Sequence, residues 1–397
     1  MELYKKAIEK HRKLRGKLET VSKMQVDTSD DLSLAYTPGV AGVCQAIHEN
    51  PKLVSELTLK SNTVAVLTDG SAVLGLGNIG PEASLPVMEG KAILFKKYAN
   101  IDAFPICLNT QESDEIIKTA RLLAPTFAGI NLEDIAAPRC FEIEDALQDL
   151  GIPVFHDDQH GTAIVVLAAL INAAKVSRKK ISELEVVING AGAAGVSIVN
   201  LLQNMNLEGE SPLGVKNIIV CDTKGIINQD RKDISNNPAK QILAEKTNIN
   251  QKSGSLRDAL LGSDVFIGVS VGNILTKPMI QSMNAEPIIF ALANPIPEIM
   301  PDLAKAAGAS VVATGRSDFA NQVNNVLAFP GIFRGALDAK APVVSHSMKI
   351  AAARAIAGCV TNLSADLIIP NALDTSVGQR VGKEVALAFE KEKVPAH

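Results

Sequence analysis

The sequence predicts two α/β domains, over residues 1–160 and 161–340, and a C-terminal helical segment over 341–397 that packs back on the first domain. Three observations carry this expectation. The chain has 397 residues, more than one ordinary hydrophobic core organises. Short β-branched runs alternate with helical runs through both halves, the pattern of parallel sheets covered by helices. Glu185–Asn189 (EVVIN) leads through Gly190-Ala-Gly-Ala-Ala-Gly195 into an apolar helical run. A G-x-G-x-x-G in that strand–turn–helix context marks the second domain as doubly wound, Rossmann-type and dinucleotide-binding.

Composition narrows the partners. With 47% hydrophobic residues, 21% charged residues and a net charge of −4, the chain has no general attraction for nucleic acid or membrane, which leaves small molecules. Cys44, Cys107, Cys140, Cys221 and Cys359 are scattered and never form a C-x-x-C pair, so they read as reduced thiols of a cytoplasmic protein. No signal peptide is read at the start. The most apolar run, inside 162–174, is too short and too well flanked by polar residues to span a bilayer.

In chain order, residues 3–21 set Leu3, Ala7, Leu14, Leu18 and Val21 near one helical face, with lysines and arginines on the rest. This helix is expected to pack on the body of the protein or on a partner subunit. Thr37-Pro38-Gly39 then forces a tight turn beside Tyr36, which is either a positioned acid or a packed ring. Asn62–Leu67 reads as a buried strand ending at Asp69-Gly70-Ser71, followed by a turn containing Gly75, Gly77 and Gly80. In the helix over 84–99, Lys91 is set among apolar neighbours and either snorkels to solvent or is desolvated and ready to take a proton. Strands over 101–108 and 127–132 bracket a helix at 113–123, and the second of them ends at Glu133-Asp134.

The stretch VFHDDQHGTA repeats that arrangement. Ile152–Phe155 reads as a short strand and Thr162 onward as a core helix, so Asp157 and Asp158 stand at a strand-to-helix junction, either capping the helix or facing a ligand. Glu133, Asp134 and Asp158, on two neighbouring strand ends, supply three oxygen ligands for a hard divalent cation and leave positions open for substrate. Downstream, the backbone of Gly190, Gly192, Ala193, Ala194 and Gly195 is expected to receive a pyrophosphate at a helix N-terminus. The next strand, Asn217–Cys221, ends at Asp222, placed to accept from a ribose hydroxyl after an insertion over 206–215. Strands over 264–269 and 287–292 end in Ser270-Val-Gly272 and Asn294-Pro295, which puts Ser270 and Asn294 at the coenzyme side. Beyond 340 the chain is alanine-rich and helical.

AYTPGVA, DGSAVLGLGNIG, PVMEGKAILFK, INLEDI, FHDDQHGTA, the glycine fingerprint, ALANP and NNVLAFPG stand in this order over almost the whole chain. Together they resemble the malic enzymes in their short bacterial-type form. The resemblance implies oxidative decarboxylation of (S)-malate to pyruvate and CO2 with reduction of NAD or NADP, dependence on Mg²⁺ or Mn²⁺, and decarboxylation of oxaloacetate. It implies that Tyr36 is the general acid and Lys91 the general base, with Glu133, Asp134 and Asp158 on the metal and Asp157 beside them. Asn294 and Asn325 would contact substrate. It also implies a homodimer in which the tyrosine corner completes the partner's site. In one respect the chain departs from the pattern: Ser71-Ala72 stands where long-form members carry an arginine for the substrate carboxylate, which leaves Ser71 as the candidate there.

The chemistry is coherent in itself. Oxidising a 2-hydroxy acid needs a base for the hydroxyl proton and a hydride acceptor, and loss of CO2 from the β-keto acid needs a Lewis acid on the C2 oxygen. NAD is expected over NADP, because a carboxylate at Asp222 repels a 2′-phosphate, with Lys224 nearby acting in the opposite sense. The rival readings are a metal-assisted dehydrogenase that stops at the keto acid and a catalytically silent nucleotide sensor.

Overall fold

The computed structural model describes residues 2–73, 75–205 and 214–393. Most of the expected insertion over 206–215 lies outside the described residues. The first sheet contains β1 (Thr63–Thr68), β2 (Asp102–Cys107), β3 (Gly129–Leu132) and β4 (Val154–His156), all parallel, in the order β2-β1-β3-β4. Every residue of β1 is buried, which is why the run is apolar without alternation. Leu67 pairs with Leu132 and Leu132 with His156, so three neighbouring strands end at one level. That register presents Asp69, Glu133-Asp134 and Asp157-Asp158 along one edge. The direction of winding reverses between β1 and β3, and ligands bind at such a reversal.

The second sheet holds β5 (Glu185–Asn189), β6 (Asn217–Asp222), β7 (Gly225–Ile226), β8 (Val265–Gly268), β9 (Ile288–Ala291) and β10 (Val311–Thr314), in the order β10-β9-β8-β5-β6-β7. It reverses between β5 and β8. Only β7, a two-residue edge strand, runs antiparallel. Neither β7 nor β10 was anticipated: β7 is too short to show a period, and β10 follows the alanine-rich run LAKAAGAS, which reads as helix.

Between the sheets lies the helix Thr162–Val176, in which every residue from Ala163 to Ala174 is buried. A helix apolar all round belongs inside a protein, and here protein covers it on all sides. The return to the first domain begins earlier than residue 341. The helix Phe329–Asp338 already packs against Pro81–Ala99, with the Phe95 ring edge-on to Phe329 at 4.8 Å and to Phe333 at 5.3 Å. Gly331 and Gly335 let the last helix, Ser376–Glu392, lie close against it: a Cβ at Gly331 would stand 2.6 Å from Val381 and one at Gly335 2.7 Å from Val385.

The N-terminal helix is shorter than expected. It spans Glu2–Leu14 and stops where Arg15 and Gly16 adopt positive φ. None of its residues is buried, and Leu3 is 75% exposed, so its apolar face does not pack on its own chain. Lys17 ties the following segment to the body by donating to the Pro86 carbonyl at 2.5 Å.

Candidate active site

Lys91 does not snorkel. Its side chain is about nine-tenths buried, and Nζ lies 2.5 Å from Asp157 Oδ2 and 2.8 Å from Glu133 Oε1. The Phe329 ring faces the same nitrogen, 4.1 Å from Nζ to the ring centroid, a favourable seat for a desolvated cation. Burial alone would lower the Lys91 pKa, but the charges of Asp157, Glu133 and Asp158 outweigh it and hold the pKa above the ordinary lysine value.

Glu133, Asp134 and Asp158 each offer a carboxylate oxygen, all within 4.8 Å of one another. Asp134 takes a positive φ of 53°, and its N–H donates to Asp158 Oδ2 at 2.8 Å, which stitches the end of β3 to the turn after β4. Asn131, buried on β3, donates to Glu133 Oε2 at 2.9 Å and fixes that side chain from behind. Burial first, then the neighbouring charges of Asp158, Asp157 and Asp134, push the Glu133 pKa well up despite Lys91. So many buried carboxylates repel one another unless a cation shares them, and Asp157 Oδ1 is buried with no hydrogen-bond partner. All-oxygen ligands on rigid strand ends fit Mg²⁺ or Mn²⁺.

Asp157 and Asp158 do not cap the core helix as an ordinary N-cap. Asp157–Gly161 forms one wide π-type turn ahead of Thr162, a local distortion common at functional sites. Asn325 holds Asp157 by donating to its Oδ2 at 3.1 Å and also exchanges hydrogen bonds with the Thr162 hydroxyl. Gly161 leaves the room: a Cβ there would lie 1.8 Å from Asp157 Oδ1. Gly161→Ala is therefore expected to displace Asp157 and lower kcat/KM by about 100-fold, since ångström-scale misplacement costs that much. Wild-type turnover in this variant would show that Asp157 is not held where it works.

Ser71 is committed elsewhere. Its hydroxyl donates to Asp69 Oδ1 at 2.6 Å and accepts from the Ala136 N–H at 2.9 Å and from Arg139 Nη2 at 3.0 Å. Arg139 also pairs with the buried Asp69 at 2.8 Å. These bonds use the donor and both acceptor sites of the hydroxyl, so Ser71 braces the glycine turn rather than offering itself to a substrate carboxylate.

Across the cleft, Gly190 has φ +130°, and a Cβ there would stand 2.7 Å from the Val269 carbonyl oxygen. One at Gly195 would lie 1.8 Å from the Gly190 carbonyl oxygen, so that glycine lets the helix Ala193–Gln203 close on its own turn. No side chain caps this helix, and its first amides, from Ala193 and Ala194 on, stay available to an anion. Ser270 accepts from Asn189 Nδ2 at 2.6 Å, bridging the two strands at the point of reversal. Asn294 lies against the first domain: a Cβ at Gly75, where φ is +75°, would stand 3.0 Å from its carbonyl oxygen. A cavity of about 790 Å³ opens beside this half, lined by Gly190, Gly192, Asp222, Lys240 and Ser270 among others.

The structure thus brings Lys91, Glu133, Asp134, Asp157, Asp158 and Asn325 together. It leaves Tyr36 outside, 69% exposed at the end of the helix Ser29–Ala35. It also corrects the reading of Asp222 as a carboxylate free for the ribose: Arg231 grips it with two nitrogens, at 2.8 and 3.0 Å, and Lys240 lies 2.6 Å away. Sequence reasoning gave no role to Asn131, Gly161 and Phe329, although they lie in INLEDI, FHDDQHGTA and NNVLAFPG, nor to Arg139, which lies in none of the quoted stretches; these residues act by orienting or making room for others. It also missed Glu298, wholly buried, whose carboxylate accepts from the Ala293 N–H at 3.0 Å and the Ser270 N–H at 3.4 Å and so fixes the loops after β8 and β9.

A carboxylate cluster and a buried lysine on one rim of a cleft, with a dinucleotide fold on the other, define a dehydrogenase for small metal-chelating hydroxy acids. Comparison with known proteins gives the family. Residues 159–392 match the malic enzyme NAD-binding domain, and 15–113 and 109–148 match the malic enzyme N-terminal domain. The chain is 57% identical to a bifunctional malic/malolactic enzyme of Bacillus subtilis over 98% of its own length and 93% of that protein's. To an NAD-dependent malic enzyme of Geobacillus stearothermophilus it is 54% identical, over 94% and 76% respectively. The crystal structure of an NAD-dependent malic enzyme from Thermotoga maritima superposes with a TM-score of 0.91 at 51% identity, covering 96% of this chain and 98% of that one. The chain belongs to the malic enzyme family.

Proposed function

We propose that this protein oxidises (S)-malate with NAD(P) and decarboxylates the product to pyruvate and CO2. The observation that carries the reading is Lys91, buried against Asp157 and Glu133 at the rim of a three-carboxylate cluster that faces the coenzyme fold. Glu133, Asp134 and Asp158 would hold Mg²⁺ or Mn²⁺, which when bound supplies Lewis acidity at the C2 oxygen. Lys91 takes the proton from the C2 hydroxyl. The carboxylates that raise its pKa are the ones a cation would share, so loading the cluster loosens the lysine's hold on its proton. Asp157, itself held by Asn325, keeps Nζ aimed at the substrate, while the Phe329 ring keeps water from its other side. Asn294 and Asn325, projecting from the second domain and its return, orient malate, and the nicotinamide accepts the hydride. Oxaloacetate supplied from outside would enter at the decarboxylation step.

The proton that completes pyruvate at C3 is assigned to Tyr36. In a single chain that side chain faces solvent, and so does the apolar face of the N-terminal helix. A symmetric homodimer in the cytoplasm would cover this face and bring Tyr36 to the partner's cleft. Inactive Tyr36→Phe and inactive Lys91→Ala subunits, unfolded and refolded together, should then recover about a quarter of wild-type activity, because half the dimers carry one intact site. A monomer in sedimentation, or no recovery, would remove Tyr36 from this role.

The function itself is tested by absorbance of the reduced nicotinamide with malate and either coenzyme, in Mn²⁺ or in chelator, with CO2 and pyruvate measured alongside. Reduction without CO2 would mean a dehydrogenase that stops at the keto acid. No reduction with either coenzyme would leave a nucleotide sensor.

A further inference from the structure

Glu144, His160 and Lys349 form a hydrogen-bonded chain that takes no part in the chemistry described above. Glu144 is buried on the helix Arg139–Asp145, and its two oxygens grasp both ends of the turn that carries Asp157 and Asp158. Oε1 accepts from the His156 N–H at 3.1 Å, and Oε2 lies 2.9 Å from His160 Nε2. The same helix holds the turn a third time, where Gln159 Nε2 donates to the Cys140 carbonyl at 3.4 Å. Lys349, on the helix His346–Ala357, reaches the other ring nitrogen of the imidazole, with Nζ 3.1 Å from Nδ1.

The partners fix the hydrogen positions. An ammonium can only donate and an ionised carboxylate can only accept, so His160 carries its proton on Nε2 and offers the Nδ1 lone pair to Lys349. Burial would raise the Glu144 pKa, but His160 and then Lys349 outweigh it and hold it down to about 2, so the clasp is ionised. Lys349 is half-buried and forms no ion pair with a carboxylate among the described residues. An ammonium drawn out of water is ordinarily compensated by an acid, because an uncompensated charge is costly to bury. Here its hydrogen bond goes to a residue of the turn instead. Close packing does not demand the arrangement: a cavity of about 670 Å³ opens along the chain, with Glu144, His160 and Lys349 in its lining.

We propose that Glu144, His160 and Lys349 are positioning residues for the reaction, which hold the wide turn in the shape that sets Asp157 against Lys91 and Asp158 beside Glu133 and Asp134. The proposal rests on the reading of Glu133, Asp134 and Asp158 as cation ligands. Asp157 and Asp158 lie between the two points that Glu144 holds, so the span of one carboxylate fixes the width of the turn. Released from Glu144, the turn would be free to tighten toward an ordinary α-helical start, which shifts Asp158 away from the other two acids. Lys349 carries the constraint to the C-terminal segment, so a residue that touches neither cation nor substrate sets how well the cluster closes on an ion. Partners of this kind, one step out from a metal, are worth about 10–100-fold in metal affinity or activity.

The test is calorimetric titration of Mn²⁺ into the full chain, at a temperature where every variant is folded, with melts in chelator, NADH fluorescence titration and kcat for malate alongside. His160→Leu removes both ring hydrogen bonds at similar volume and should weaken Mn²⁺ binding by about tenfold or more, with kcat falling too. NADH affinity should stay at the wild-type value. His160→Gln keeps a donor for Glu144 and an acceptor for Lys349, and should recover most of the lost Mn²⁺ affinity. Lys349→Met should weaken Mn²⁺ binding in the same direction as His160→Leu. A purely structural role would lower the melting temperature in chelator and leave Mn²⁺ affinity alone. That result, a parallel loss of NADH affinity, or a His160→Gln protein no better than His160→Leu overturns the assignment. Should His160→Leu not fold, Lys349→Met decides by the same comparison. A wild type that binds no Mn²⁺ would instead defeat the cation reading on which the assignment stands.

Discussion

Lys91→Ala is expected to lower kcat for malate oxidation by about 1,000-fold, the middle of the range for removal of a positioned proton acceptor. Coenzyme affinity should be unchanged, since Lys91 lies on the opposite rim of the cleft from the glycine turn. The more telling substitution is Lys91→Arg. Its guanidinium keeps the positive charge beside Asp157 and Glu133 but does not give up a proton in a protein, so it should preserve much of the stability and restore none of the rate. Steady-state kinetics paired with thermal melts separate the two effects. Recovery of turnover in Lys91→Arg would reduce the lysine to a counter-ion.

Asp158→Asn is the second variant with a large expected effect. The amide oxygen can still accept the Asp134 N–H that Asp158 Oδ2 now receives, so the junction of β3 with the π-type turn should survive. One negative charge leaves the cluster, and with it much of the affinity for a divalent cation. Wild type should gain thermal stability on titration with Mn²⁺, because a ligand that binds only the folded state stabilises it, and the variant should gain far less. Turnover should be undetectable at Mn²⁺ concentrations that saturate wild type. Without metal the variant should melt no lower than wild type, because the Asp158 charge raises the Glu133 pKa and its removal relieves crowding. Full activity of wild type after verified metal removal would end the metal assignment.

The sequence made most of the scaffold legible. Glu185–Asn189 and Ser113–Leu123 fall at the anticipated residues, and β1, β3 and β6 lie within a residue or two of them, because buried parallel strands and amphipathic helices have strong local periods. Glu133, Asp134 and Asp158 were legible for a related reason: acidic pairs at consecutive strand ends converge if the sheet is parallel and in register. Lys91 was ambiguous, since its apolar neighbours along the helix are the same whether it points in or out. What decides is Asp157, 66 positions away in the chain.

Asp222 was misjudged for the same kind of reason. Its place at the end of β6 is visible in the sequence, but the guanidinium that occupies it comes from Arg231 and the ammonium from Lys240, beyond an edge strand too short to detect. The role of Ser71 likewise depends on Arg139, on a different element of the same domain. Local sequence locates a charged group; its neighbours in space determine whether it is free to act.

The rim that surrounds Lys91 is closed by Phe329, and Asp157 is steadied by Asn325, both far along the chain from the lysine they serve. During synthesis the first sheet and its carboxylates emerge long before these two residues. A nascent chain that has not reached Asn325 carries the lysine and the carboxylates without the ring and the amide that set them, and fragments ending before that point should be silent toward malate. Activity is therefore expected only in chains that extend past Phe329, after the strands of the coenzyme fold are complete.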